Sequence, residues 1–127
     1  MKDVIKTDLA PQAIGPYSQA RILGGYLFCS GQIPIDPQRG EIVAGGIEAQ
    51  TKQVMENLKQ ILLAAEMNFD DVLKTTIFIT NMNNFGNVNE IYGGYFTDKL
   101  PARSCVAVAG LPKGVLVEIE IIACNHA

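Results

Sequence analysis

The segment Val115 to Cys124 constrains the fold more than any other part of the chain. Its residues alternate: Val115, Val117, Ile119 and Ile121 fall on one face of an extended strand, Leu116, Glu118, Glu120 and Ile122 on the other. The first face is uniformly apolar and has to be covered by a second layer. The other mixes two carboxylates with Leu116 and Ile122, a composition suited to meeting another subunit. A wet sheet face with stray apolar residues is the alternative. We take the mixed face as the mark of an oligomer.

An apolar stripe supplies the covering layer. Ile47, Thr51, Val54, Leu58, Ile61, Leu62 and Ala65 recur at three- and four-residue spacing, which predicts a helix with Lys52, Glu56, Lys59 and Glu66 facing water. Phe85, Val88, Tyr92 and Tyr95 or Phe96 predict a second helix, weakened by Gly93-Gly94 at about 1 kcal/mol per glycine relative to alanine. Val72 to Thr80, rich in β-branched residues, reads as a strand, and Asn81 to Asn84 as a turn. Upstream, Val4 to Thr7 is a short β-like run closed by the turn-rich stretch Asp8 to Pro16. Ser18 to Leu23 and Tyr26 to Ser30 form a hairpin about Gly24-Gly25. Pro34 to Gly46 carries two prolines and three glycines and reads as a loop. Arg103 to Ala109 is joined to the last strand by Gly110-Leu111-Pro112-Lys113-Gly114. The order is roughly β-β-β-α-β-α-β-β. It defines a single α+β domain over residues 1–127, a mostly antiparallel sheet with two helices packed on one face.

Composition removes several function classes. At 127 residues there is room for one domain, and 48% hydrophobic residues can fill its core without a disulfide frame or structural metal. A net charge of −3 argues against a general nucleic-acid binder, which needs a clustered basic face. No apolar run approaches the ~20 residues that span a bilayer, and Met1 to Lys6 lacks the apolar stretch of a signal peptide. Cys29, Cys105 and Cys124 have no paired spacing, so we expect reduced thiols in a cytoplasmic protein. The single histidine, His126, sits beside the last residue. Chemistry built on histidine, whether a nucleophilic triad, a Cys–His pair or a zinc site, would depend on a chain terminus.

What chemistry remains gathers in the last two strands. We expect their connecting turn to pair them as a hairpin, so that Val106 and Val108 share a face with Val115 and Val117. Arg103 and Cys105 then share a face with Glu118 and Glu120. A guanidinium fork is suited to gripping a substrate carboxylate, and a nearby carboxylate to holding or deprotonating a water. A cross-strand Arg–Glu pair that only supports the sheet is the competing reading, worth at most about 1 kcal/mol if exposed. Cys105, with no histidine to activate it, reads as a small packing residue. Two further features stand out. Gly15-Pro16 delivers Tyr17 from a stiff turn, and Ser30-Gly31 at a strand end allows close approach to a ligand, or merely a bulge.

Taken together, Ile14-Gly15-Pro16-Tyr17-Ser18-Gln19, Ser30-Gly31-Gln32-Ile33-Pro34 and Pro101-Ala102-Arg103-Ser104-Cys105-Val106 resemble signature segments of the RidA/YjgF family. Val117-Glu118-Ile119-Glu120 and Asn89 are similar as well, and the likeness runs in order along essentially the whole chain. The resemblance implies a chorismate-mutase-like fold, assembled as a homotrimer with sites in the clefts between subunits. It also implies a cofactor-independent deaminase without a metal. Such an enzyme hydrolyses 2-iminopropanoate and 2-iminobutanoate, released by pyridoxal-phosphate enzymes such as threonine dehydratase, to 2-oxo acids and ammonia. Carried onto this sequence, Arg103 binds the substrate carboxylate and Glu118 positions the hydrolytic water. Tyr17, Ser30, Gly31, Asn89 and Cys105 line the pocket. A metabolite-binding regulatory module using the same cleft without turnover is the alternative. A nuclease, which also has family precedent, fits poorly with the acidic charge. A chorismate mutase would need more cationic groups than the lone Arg103 of this patch.

Overall fold

The computed structural model describes residues 3–125; Met1, Lys2, His126 and Ala127 lie outside them. The chain runs through β1 (Val4–Ile5), β2 (Ala20–Leu23), β3 (Tyr26–Gln32), β4 (Ile35–Asp36) and β5 (Glu41–Ile42). Helix α1 (Ile47–Ala64), β6 (Val72–Ile79), α2 (Phe85–Gly93), β7 (Ala102–Ala107) and β8 (Val117–Cys124) follow. The main sheet has the order β1-β2-β3-β8-β6-β7, and β4 pairs with β5 apart from it. The α+β class and the mostly antiparallel sheet agree with the sequence pattern, the single parallel pair among the described residues being β6 with β7. No helix among the described residues is long and apolar enough to cross a membrane.

Local chemistry explains the elements. Gly24 and Gly25, at φ +58° and +83°, form the two-residue turn that closes the β2–β3 hairpin, with Leu23 opposite Tyr26. Both φ values are positive, the combination that matches strand twist and that glycine adopts without strain. Helix α1 buries Val54, Met55, Leu58, Ile61 and Leu62, which pack with Leu27, Ile77, Ile79, Val117, Ile119 and Ile121 of the sheet in one core. It ends where Glu66 takes a left-handed backbone at φ +59°.

Two expectations fail. The last two strands do not form a hairpin: β8 lies between β3 and β6, antiparallel to both, and β7 runs parallel to β6 at the sheet edge. The inward side chains of β8 are all buried, so this strand gains most from neighbours on both sides. The residues of β7 are largely exposed. Helix α2 provides the crossover that a parallel β6–β7 pair requires. The second failure is the loop from Pro34 to Gly46, which contains the small β4–β5 hairpin over a satellite cluster of Ile33, Ile35 and Val115.

Side-chain amides of α1 hold that hairpin. The fully buried Asn57 donates through Nδ2 to the carbonyls of Ile33 (3.2 Å) and Ile35 (3.0 Å), and its Oδ1 accepts from Gln53 (2.8 Å). Gln50 accepts from the Leu116 N–H at 2.8 Å. Truncating such an amide strands buried carbonyls, which costs about 1–3 kcal/mol. Asn57→Ala should therefore destabilise the fold by about 2 kcal/mol in urea titration; an unchanged midpoint would show that the hairpin is held by other means.

Candidate functional site

The sheet register distributes the candidate residues. Arg103 pairs with Thr75, and Thr75 with Ile121, so Arg103 stands on the helix-covered face. Cys105, paired with Ile77 and through it level with Ile119, shares that face. Glu118 pairs with Phe78, which pairs with Val106, and Glu120 pairs with Thr76; all of these occupy the open face. The expected patch of Arg103, Cys105 and two glutamates therefore does not form within one chain, and the cross-strand Arg–Glu pair fails with it. Two strand spacings and three residues of rise separate Arg103 from Glu118 by about 14 Å at Cα, with the sheet between them.

The arginine half lies between β7 and α2. Arg103 Nη1 donates to Asn89 Oδ1, and its guanidinium carbon lies 5.3 Å from the ring centroid of Phe85 and 5.4 Å from that of Tyr92. These distances permit cation–π attraction to both rings. Burial pushes the Cys105 thiol above its ordinary pKa while the Arg103 charge pulls the other way, so the thiol stays protonated near neutral pH.

The glutamate half forms on the other face. β3 bulges between Cys29 and Gln32 where it meets β8, which places Ser30 and Gly31 at the irregularity. A Cβ on Gly31 would overlap the Glu118 carboxyl group, so the glycine is what lets that carboxylate lie against the strand. Ser30 donates through Oγ to the Ser18 carbonyl (2.7 Å) and through its N–H to the Gln19 carbonyl (2.9 Å). Tyr17 is therefore carried beside the same bulge, half-exposed, its Oη accepting from the Ile14 N–H at 3.3 Å. Burial raises the Glu118 pKa above the ordinary carboxylate range, and the neighbouring Glu120 charge raises it further.

Residue by residue, the structure sets Gly31 against Glu118 and bonds Ser30, next along the bulge, to Ser18, the chain neighbour of Tyr17. Separately it brings together Arg103 and Asn89, with Cys105 on the same face of the sheet. Three contributors are absent from the sequence reading of the site. Phe85 and Tyr92 appear there only as a helical stripe; with Asn89 they are spaced i, i+4, i+7, a signal that one helix face serves one partner. The third is Gln19, buried, whose side chain bonds Thr7 and the carbonyls of Ala10 and Pro11, tying down the loop that carries Tyr17.

A small sheet domain with an arginine-bearing edge and a carboxylate on a glycine bulge has close relatives. The sequence model of the family described as Endoribonuclease L-PSP matches residues 7–125. A RutC family protein of Pyrococcus horikoshii is 55% identical over 97% of this chain and 98% of its own. The mouse 2-iminobutanoate/2-iminopropanoate deaminase is 50% identical over 97% of this chain and 91% of its own. Escherichia coli TdcF, solved with bound serine, superposes with a TM-score of 0.92 at 47% identity, covering 98% of this chain and 99% of that one. The chain belongs to the RidA/YjgF family.

The clash at Gly31 is with the mobile end of a side chain, so Gly31→Ala should fold, with a melting temperature lowered by no more than about 8 °C. The displaced Glu118 carboxyl should then titrate closer to the ordinary carboxylate value in a carbon-detected NMR titration. A Glu118 pKa identical in variant and wild type would show that the glycine does not seat the carboxylate.

Proposed function

We propose that the protein is a hydrolytic deaminase of small 2-imino acids, converting 2-iminopropanoate and 2-iminobutanoate to the 2-oxo acids and ammonia. The observation that carries this reading is the Arg103 guanidinium, exposed at the sheet edge and braced by Asn89, Phe85 and Tyr92. A braced fork loses little freedom on gripping a carboxylate through two parallel hydrogen bonds. Deaminase names among relatives of about 50% identity support the same chemistry.

The two halves stand on opposite faces, so a complete site needs two copies of the chain. In the proposed homotrimer, Arg103, Asn89 and Cys105 of one copy meet Tyr17, Ser30, Gly31 and Glu118 of the next across a cleft. The open face favours such an assembly: Leu23, Tyr26, Phe28 and Val106 are 44% to 79% exposed there, beside Glu120. Apolar area of this kind marks an interaction surface.

Arg103 holds the carboxylate, and Glu118 orients a water towards the imine carbon and accepts one of its protons. The oxygen–carbon bond forms as the C=N π pair moves to nitrogen. Glu118 returns that proton to the carbinolamine nitrogen, the C–N bond breaks to release ammonia as the C=O forms, and the hydroxyl proton passes to water, leaving Glu118 as the carboxylate. A protonated imine is already electrophilic, so positioning supplies most of the catalysis and no cofactor is called for. The supply of 2-imino acids would come from pyridoxal-phosphate dehydratases, which release them.

The test couples the protein to a pyridoxal-phosphate threonine dehydratase in the presence of semicarbazide, which competes for 2-iminobutanoate. Wild type should divert the imine to 2-oxobutanoate, and Arg103→Lys should lose about 10- to 100-fold in kcat/KM, since one ammonium cannot replace a bidentate fork. Light scattering should give three chains for both proteins. If wild type does not accelerate hydrolysis but binds 2-oxobutanoate saturably, the regulatory-module reading replaces this one.

The pH dependence follows from the raised Glu118 pKa. The active form is the carboxylate, so kcat/KM should fall as pH drops through an inflection above the ordinary value of about 4.3. Glu118→Gln should lack that inflection and most of the activity; an unaltered acid limb in this variant would remove Glu118 from the role of base.

A further inference from the structure

The support beneath Arg103 carries an inference that rests on the carboxylate-binding role just proposed for that residue. Phe85, Asn89 and Tyr92 leave α2 on one stripe, and all three touch the guanidinium. Tyr92 is itself immobilised. Its Oη lies 2.8 Å from Thr75 Oγ1, and its ring packs 4.9 Å from that of Phe96. Thr75 is the in-register partner of Arg103 on the neighbouring strand. One buried hydroxyl therefore clamps the ring under the guanidinium from beside the backbone that carries it.

Core packing does not call for this pair. The inward residues next along β6 and β8 are Ile77, Ile79, Ile119 and Ile121, and valine at 75 with phenylalanine at 92 would fill nearly the same space. A polar pair in that apolar setting, with both partners satisfied, selects one orientation of the ring that an apolar pair would leave less defined.

We propose that Tyr92, clamped by Thr75, is a positioning residue for Arg103. Together with Phe85 it gives the guanidinium a flat seat, and Asn89 sets its rotation by engaging Nη1. The N–H groups beyond Asn89 are then held as a two-pronged donor for the carboxylate of a 2-imino acid. Thr75 and Tyr92 act only through Arg103.

The test uses Tyr92→Phe, Thr75→Val and the double variant, each removing one or both hydroxyls while keeping shape. All are checked for wild-type circular dichroism and assembled mass. Two readouts apply: kcat and KM in the dehydratase-coupled assay, and the calorimetric Kd for 2-oxobutanoate. Each single variant should raise KM and Kd about five- to tenfold with a smaller change in kcat, the size expected for one lost hydrogen bond. The double variant should be no worse than either single, because both break the same bond. In an Arg103→Lys background neither substitution should weaken 2-oxobutanoate binding further.

Unchanged KM and Kd in Tyr92→Phe, with Arg103 still essential, would overturn the positioning role and leave the deaminase reading intact. Losses of equal size in the Arg103→Lys background would overturn it too, by showing that the hydroxyls act through general packing. If wild type binds 2-oxobutanoate but does not turn over imine, the deaminase reading fails, and the Kd series alone decides the positioning role. If wild type neither turns over imine nor binds 2-oxobutanoate, both fall.

Discussion

Strand β8 is the element on which the rest of the molecule depends. It is paired along both edges, to β3 and to β6, and its inward side chains Val117, Ile119, Ile121 and Ala123 are buried beneath the helices. A slip of one residue would turn Glu118 and Glu120 into the core and expose the apolar set, so the register is strongly specified. That register places Glu118 on the open face beside the bulge of β3, where Gly31 leaves space for its carboxyl group. The energetics of the core thereby fix the position of a polar group that contributes nothing to the core.

The arginine half follows from a different constraint. A parallel β6–β7 pair needs a crossover, and α2 supplies it while laying Phe85, Asn89 and Tyr92 against Arg103. The edge position of β7 keeps the guanidinium exposed while the rings of α2 hold it in place. Neither half depends on the other within one chain. Their separation across the sheet and the apolar open face have a common explanation in the proposed assembly, where the edge of one copy meets the open face of the next.

Much of this was legible in order along the chain. The α1 stripe, the Gly24-Gly25 turn and the alternation through Val117 to Ile121 are periodic signals that local geometry imposes, and each is realised. Asn57 and Gln19 were not legible, because a buried amide reads as an ordinary polar residue until the carbonyls it satisfies are brought beside it. The hairpin expected between β7 and β8 failed for a related reason. A short glycine- and proline-rich connection is compatible with a hairpin, but it says nothing about which other strands compete for the same edges.

The sequence by itself supplied the candidates, namely an arginine and its downstream glutamate, the Gly15-Pro16-Tyr17 turn and the Ser30-Gly31 strand end, and the faces that Arg103 and Glu118 would occupy along their own strands. Side-chain alternation is a property of the extended backbone, so those faces are readable from spacing alone. Tertiary structure alone decided which strands lie side by side. Pairing is settled by the total burial that each arrangement achieves, and β8 buries most when it is central. That choice sent Arg103 and Glu118 to opposite faces, and it turned an apparent single patch into two halves.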